Sequence, residues 1–126
     1  MKPVVYDAGV LVAADRGKRQ LWAEHRVRLE AGTLPLVPAL VVAQVSRSPR
    51  QAQLRQLLRG CEVVALDEDG GHRVGALLGK ARTSDVVDAA VVTLALERKA
   101  DIQTSDPAVI RRLTAAARAK LTLLEV

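Results

Sequence analysis

The sequence has no phenylalanine, and Trp22, Tyr6 and Cys61 are each the only residue of their kind in 126. At 2% aromatic content there is no row of rings on which successive bases could stack, so single-strand binding on an aromatic platform is excluded. A lone cysteine allows no intrachain disulfide and no multi-cysteine metal site, which fits a reducing, cytoplasmic setting. Long apolar runs are also missing. The most apolar stretch, residues 34–43, is ten residues long and holds Pro35 and Pro38, whereas spanning a bilayer takes roughly 20. No membrane association is expected. The opening Met1-Lys2-Pro3-Val4 carries no extended apolar segment, so no secretory leader is expected either. There is no repeat, low-complexity tract or Gly/Ser-rich linker, and the length suits a single domain over residues 1–126.

Apolar residues make up 49% of the chain and charged residues 26%, an ordinary globular balance whose core must be aliphatic. Nineteen Lys and Arg face 14 Asp and Glu, giving +5. The excess lies wholly in residues 1–66, where ten basic side chains face five acidic ones; residues 67–126 hold nine of each. A polyanionic partner is compatible with this charge.

Along the chain, short apolar runs alternate with helical patterns. Residues 3–6 read as a buried strand, followed by helices over 8–14 and 18–31, the second stopped by Gly32. A strand over 34–37 is closed by Pro38. Residues 39–45 read as helix, although the valines would also suit a strand. Pro49 opens a helix that Gly60 ends. Strand 61–66, helix 67–81, a capped helix from Thr83-Ser84-Asp85 to about Lys99, strand 101–104, a helix starting at Ser105-Asp106-Pro107 and strand 121–126 complete the order. Strands separated by helices predict an α/β fold: three layers, α/β/α, around a central parallel sheet.

In such sheets, sites form beyond the carboxyl ends of the strands. Asp7 follows the first strand, Asp106 follows strand 101–104, and Asp88 lies in the first turn of the helix leading into that strand. Two carboxylates ~5 Å apart repel by roughly 3 kcal/mol at an effective dielectric of about 20. A cluster of them calls for a cation, and hard oxygen donors suit Mg²⁺ or Mn²⁺. Each acid also has a structural reading. Asp85 and Asp106 are good N-caps, Asp7 could close a turn, and Asp88 complements a helix dipole.

Four segments carry a resemblance across essentially the whole chain. They are Val4-Val5-Tyr6-Asp7-Ala8, Val37 to Val45, Ser84-Asp85-Val86-Val87-Asp88-Ala89-Ala90-Val91-Val92, and Thr104-Ser105-Asp106. In order and spacing they resemble the successive motifs of PIN-domain ribonucleases, with the nearest match among the small VapC-type toxins of bacterial toxin–antitoxin pairs. The resemblance implies a PIN-like fold in which Asp7, Asp88 and Asp106 surround Mg²⁺ or Mn²⁺, with Asp85 near enough to be a further ligand. Thr104 then supports the first acid, with Ser105 and Gln44 as supporting neighbours. It also implies cleavage of RNA, often transfer or ribosomal RNA, a homodimer, and inhibition by a cognate antitoxin. One position departs from the pattern: Gln44 stands where the family usually has Glu. An amide offers a carbonyl oxygen but no charge, so weaker metal binding is implied. A PIN-like module that binds RNA or protein without cutting is the alternative.

Arg47, Arg50, Arg55, Arg59 and Arg82 are candidate phosphate contacts, because an acidic centre needs nearby cations to attract RNA. The same arginines also read as an ordinary solvated face. Other patterns fail. Asp67-Glu68-Asp69-Gly70 lacks the Gly and Glu of a calcium loop at its sixth and twelfth positions, and residues 75–81 fall short of a phosphate-binding loop. No late strand closes on a Lys as a receiver-like phospho-acceptor domain would require. His25 and His72 are expected at the surface and Cys61 in the core. Trp22 reads as a core residue or as an anchor for a partner segment.

Overall fold

The structure is a computed structural model that describes all of residues 1–126. Five parallel strands form one sheet: β1 (Val4–Tyr6), β2 (Leu36–Pro38), β3 (Glu62–Val64), β4 (Asp101–Thr104) and β5 (Leu123–Glu125). Their order across the sheet is β3-β2-β1-β4-β5. The chain therefore builds outward from β1 to one edge, returns to the centre and builds to the other edge. The reversal falls between β1 and β4, the place where open α/β sheets leave a crevice at their carboxyl ends.

Seven helices flank the sheet: α1 (Ala8–Asp15), α2 (Arg19–Glu30), α3 (Ala39–Val45), α4 (Ala52–Arg59), α5 (Glu68–Ala81), α6 (Val86–Arg98) and α7 (Pro107–Ala116). Helix α1 packs on β1 and β4 and gathers α2, α3 and α4 around it, while α6 packs on β1, β2 and β4 and gathers α5 and α7. The three-layer arrangement expected from the alternating pattern is the one observed. None of these helices is long and apolar enough to cross a membrane.

The central strands are apolar because both faces are covered. Val4, Val5, Tyr6, Val37 and Ile102 are buried, and the rest of the core is also aliphatic apart from Tyr6. Helix α6 contributes Ala89, Ala90, Val91, Val92, Leu94 and Ala95, so small and branched residues let it lie close on the sheet. In α4 the expected division holds: Leu54 and Leu57 are buried, whereas Arg55, Gln56 and Arg59 face solvent.

Several boundaries differ from the sequence reading. Helix α4 begins at Ala52, not Pro49, because Pro49 and Arg50 form a turn held by the Ser48 hydroxyl, which accepts the Arg50 N–H at 3.0 Å. Strand β2 starts at Leu36 and includes Pro38, which closes it as its last residue; the missing N–H is tolerated there, where the chain enters α3. Strand β3 covers Glu62–Val64, shorter than the expected 61–66, and is an edge strand with β2 as its sole partner.

His25 is a correction. It is buried, not exposed, with its Nδ1 2.9 Å from the Tyr6 hydroxyl. Arg28 Nη1 donates to that hydroxyl at 3.1 Å and to Gln103 Oε1 at 2.9 Å, and Gln103 Nε2 donates to Glu24 Oε1 at 3.2 Å. The Tyr6–His25 bond carries one proton, given by the hydroxyl or by Nδ1–H according to the ring tautomer. Burial first, and then the Arg28 charge, hold His25 below its ordinary pKa, in keeping with a neutral ring. Tyr6 and Gln103 are register partners, so this network ties α2 to the ends of β1 and β4. Trp22 packs edge-on against His25 and donates its indole N–H to the Ala14 carbonyl at 3.0 Å. Cys61 is partly buried, and burial pushes its thiol up to about 12, which suits a packing role.

Candidate active site

Asp7, the residue after β1, is the N-cap of α1 and is only 4% exposed. Its Oδ1 accepts the Val10 N–H at 3.1 Å, and its Oδ2 accepts the Ser105 N–H at 3.3 Å from the loop between β4 and α7. The Thr104 side chain bonds to the same carboxyl group. Burial pushes the Asp7 pKa up, and these donors pull it back toward the ionised form.

Thr104 also serves the neighbouring acid, since its Oγ1 accepts the Asp106 N–H at 2.9 Å. Asp106 caps α7 through Oδ1, which accepts the Val109 N–H at 3.4 Å, and Pro107 fills the first helical position. Asp85 caps α6 in the same way, accepting the Asp88 N–H at 3.1 Å. The structural roles expected for Asp85 and Asp106 are thus real, and each uses one carboxylate oxygen and leaves the other free.

Asp88 shows that the acids converge. Its pKa is pushed up to about 7, first by burial, then by a hydrogen bond and like charge from Asp85, and then by the charges of Asp7 and Asp106. The fold therefore collects four carboxyl groups, from three separate parts of the sequence, at the reversal point between β1 and β4. None of the four is paired with a base. The ion pairs of the chain lie elsewhere: Lys2–Asp101, Glu68–His72, Arg73–Glu97 and Glu62–Arg98.

No group of three or more acidic, histidine or cysteine side chains stands close enough to hold a metal ion directly. The donor chemistry does suit one. All four groups are hard oxygen donors that repel one another, and no basic side chain is paired with them. Asp85 and Asp106 are exposed, each held by a single backbone N–H at a helix start, whereas Asp7 is buried and held from two segments.

Gln44 is exposed on α3 and lines an open groove with Ala8, Gly9, Val12, Asp15 and Arg16, beside the first turn of α1. The arginines divide. Arg47 donates to the Ala43 and Ser46 carbonyls, both at 2.9 Å, and so closes the end of α3; Arg59 donates to Gln56. Arg50 and Arg55 are exposed on the turn before α4 and on α4 itself. Arg82 ends α5 with a left-handed φ of 54°, three residues before Asp85.

Gly9, in the groove wall next to Asp7, escaped the sequence reading. The available signal was a glycine inside a predicted helix, where any other residue but proline would be a better helix former.

No protein-family model matches the sequence, and no curated protein does. Solved structures do. A chain of the VapBC2 complex of Rickettsia felis, bound to a promoter DNA fragment, superposes with a TM-score of 0.71 at 14% identity, covering 98% of both chains. A toxin–antitoxin complex from Klebsiella pneumoniae gives 0.64 at 16% identity, covering 83% of this chain and 88% of the other. The FitAB complex bound to the IR36 DNA fragment gives 0.60 at 12% identity, covering 97% and 94%. At such identities the likeness establishes a shared PIN-like α/β/α fold along nearly the full chain.

Proposed function

We propose that this chain is a divalent-metal-dependent endoribonuclease and the toxin member of a toxin–antitoxin pair. The observation that carries the nuclease reading is the group of Asp7, Asp85, Asp88 and Asp106 at the reversal point, free of any basic partner. The fold shared with chains from toxin–antitoxin complexes supports the toxin role and a protein antitoxin as partner.

In this reading Asp7, Asp88 and Asp106 hold Mg²⁺ or Mn²⁺, with Asp85 as a further oxygen donor. A bound divalent ion supplies positive charge to the phosphate and acidifies a water molecule for attack on phosphorus. Asp7 is the fixed member, held by donors from Val10, Ser105 and Thr104. Asp88 must shed its proton to become a ligand, so ion uptake releases protons near neutral pH. Asp85 and Asp106 each keep one oxygen on a helix cap and turn the other inward. Arg50, Arg55 and Arg82 supply the positive surface along which an RNA backbone lies, with transfer or ribosomal RNA as the substrate class, and the active species is a homodimer.

The test is Asp7→Asn. The variant loses Mn²⁺-dependent RNA cleavage and no longer arrests growth when expressed; unchanged cleavage refutes the reading. A second reading, a PIN-like module that binds without cutting, is favoured by Gln44, which adds no charge beside α1. Calorimetric Mn²⁺ titration separates the two, because a silent module has no site that vanishes in Asp88→Ala.

A further inference from the structure

Beside the carboxylates the site has a steric feature. Gly9 lies in the first turn of α1, two residues after Asp7. A Cβ built on it would overlap the Ser105 Oγ and Cβ outright and would stand 3.4 Å from Asp7 Oδ1. The Ser105 hydroxymethyl group thus occupies the space that any other residue at position 9 would need. The helical glycines Gly71, Gly75 and Gly79 of α5 differ, because a Cβ on each would meet nothing within 4 Å. Gly70, at the start of α5, is crowded only by its own local chain, Leu66 and Asp67, whereas at Gly9 the obstruction comes from Ser105, far away in sequence.

The docked segment carries the site. Ser105 donates its backbone N–H to Asp7 Oδ2 at 3.3 Å. The next residue is Asp106, whose own N–H is held by Thr104. We propose that Gly9 and Ser105 form a steric key: the bare backbone at Gly9 lets Ser105 seat on α1, and this seating sets the position of Asp106 relative to Asp7 and hence the grip on a divalent cation. Gly9 is a positioning residue in this scheme, since it offers no group of its own to ligand or substrate. The proposal rests on the ion-binding reading above.

Four proteins test it: wild type, Gly9→Ala, Ser105→Gly and the double variant. Each is titrated with Mn²⁺ by calorimetry, assayed for RNA cleavage with kcat and KM resolved, and melted in chelator. Gly9→Ala weakens Mn²⁺ binding by about 10- to 100-fold, the range seen when groups that orient a metal ligand are lost, and lowers kcat more than it raises KM. Ser105→Gly keeps the backbone N–H to Asp7 but empties the space over Gly9, so Asp106 is placed less firmly and Mn²⁺ binding weakens, by less than in Gly9→Ala. The double variant recovers most of the Mn²⁺ affinity and kcat, and in chelator it melts above Gly9→Ala. If Gly9→Ala does not fold, the double variant still folds and binds. Wild-type affinity in Gly9→Ala, or a double variant no better than Gly9→Ala, overturns the proposal. If the wild type takes up no Mn²⁺ the ion reading falls by itself, and the metal-free melts still decide the key: a double variant melting no higher than Gly9→Ala refutes it.

Discussion

Replacing Asp88 by Asn measures the cost of holding an ionised acid in a half-buried position beside other acids. Ionisation of Asp88 in the folded chain is disfavoured, with its pKa moved from 3.8 to about 7. Taken without screening, that displacement corresponds to roughly 4 kcal/mol at ~1.36 kcal/mol per tenfold change in proton affinity. The side chain is only half-buried and water reaches it, so about half, ~2 kcal/mol, is the working figure. The sign follows from proton counts. Between pH 3.8 and about 7 the folded chain holds the Asp88 proton while the unfolded chain has released it. Stability therefore falls as pH rises through this window, and the penalty is complete above it. Asn cannot ionise. In EDTA the variant and wild type melt together near pH 4, and by pH 8 the variant melts higher by roughly 8 °C for a chain of this size. The assay is thermal unfolding followed by circular dichroism from pH 4 to 8.5. A constant offset between the two melting curves, or a variant that melts lower at pH 8, refutes the picture of an Asp88 carboxylate disfavoured by burial and by its acidic neighbours.

The buried network makes a second prediction. Arg28→Met leaves the Gln103 amide oxygen without its donor and lowers stability by about 2–3 kcal/mol in chemical denaturation. Lys99 ends α6 in the left-handed region at φ 52°, so Lys99→Gly raises the melting temperature by a few degrees, worth about 0.5–1 kcal/mol. Replacing both Arg50 and Arg55 by Gln lowers the slope of log affinity against log salt for single-stranded RNA by about 1.4, while Arg47→Gln also destabilises the fold because Arg47 closes α3. Gln44→Glu strengthens Mn²⁺ binding about tenfold in calorimetry, since it adds a charge to the groove beside Asp7.

The alternation of apolar strands with capped helices was enough to put Asp7 and Asp106 just after strands and Asp88 in a first helical turn, because strand ends, caps and turn residues are local signals. The same local logic found the caps at Asp85 and Asp106. The Tyr6–His25–Arg28–Gln103 network was not legible. Its hydrogen-bonded pairs are up to 75 positions apart, and a lone His or Arg in an amphipathic helix looks the same whether it meets solvent or a buried hydroxyl. Gly9 was hidden for a related reason: the atoms that require it belong to Ser105, across the sheet reversal. Pro49 misled in the other direction. A proline before a leucine-rich run is a common helix start, but here the Ser48 hydroxyl turns the chain once more before α4 begins.

The Arg28 network has a consequence for how the site adapts to what it binds. It bolts the tips of β1 and β4 to α2 from beneath, so the floor that carries Asp7 and Thr104 is stiff. Any adjustment must come from the rim, where Asp85 and Asp106 stand on exposed helix starts. Such a centre works like a vice with one fixed jaw, and what it accepts is set by how far the loose jaw can travel.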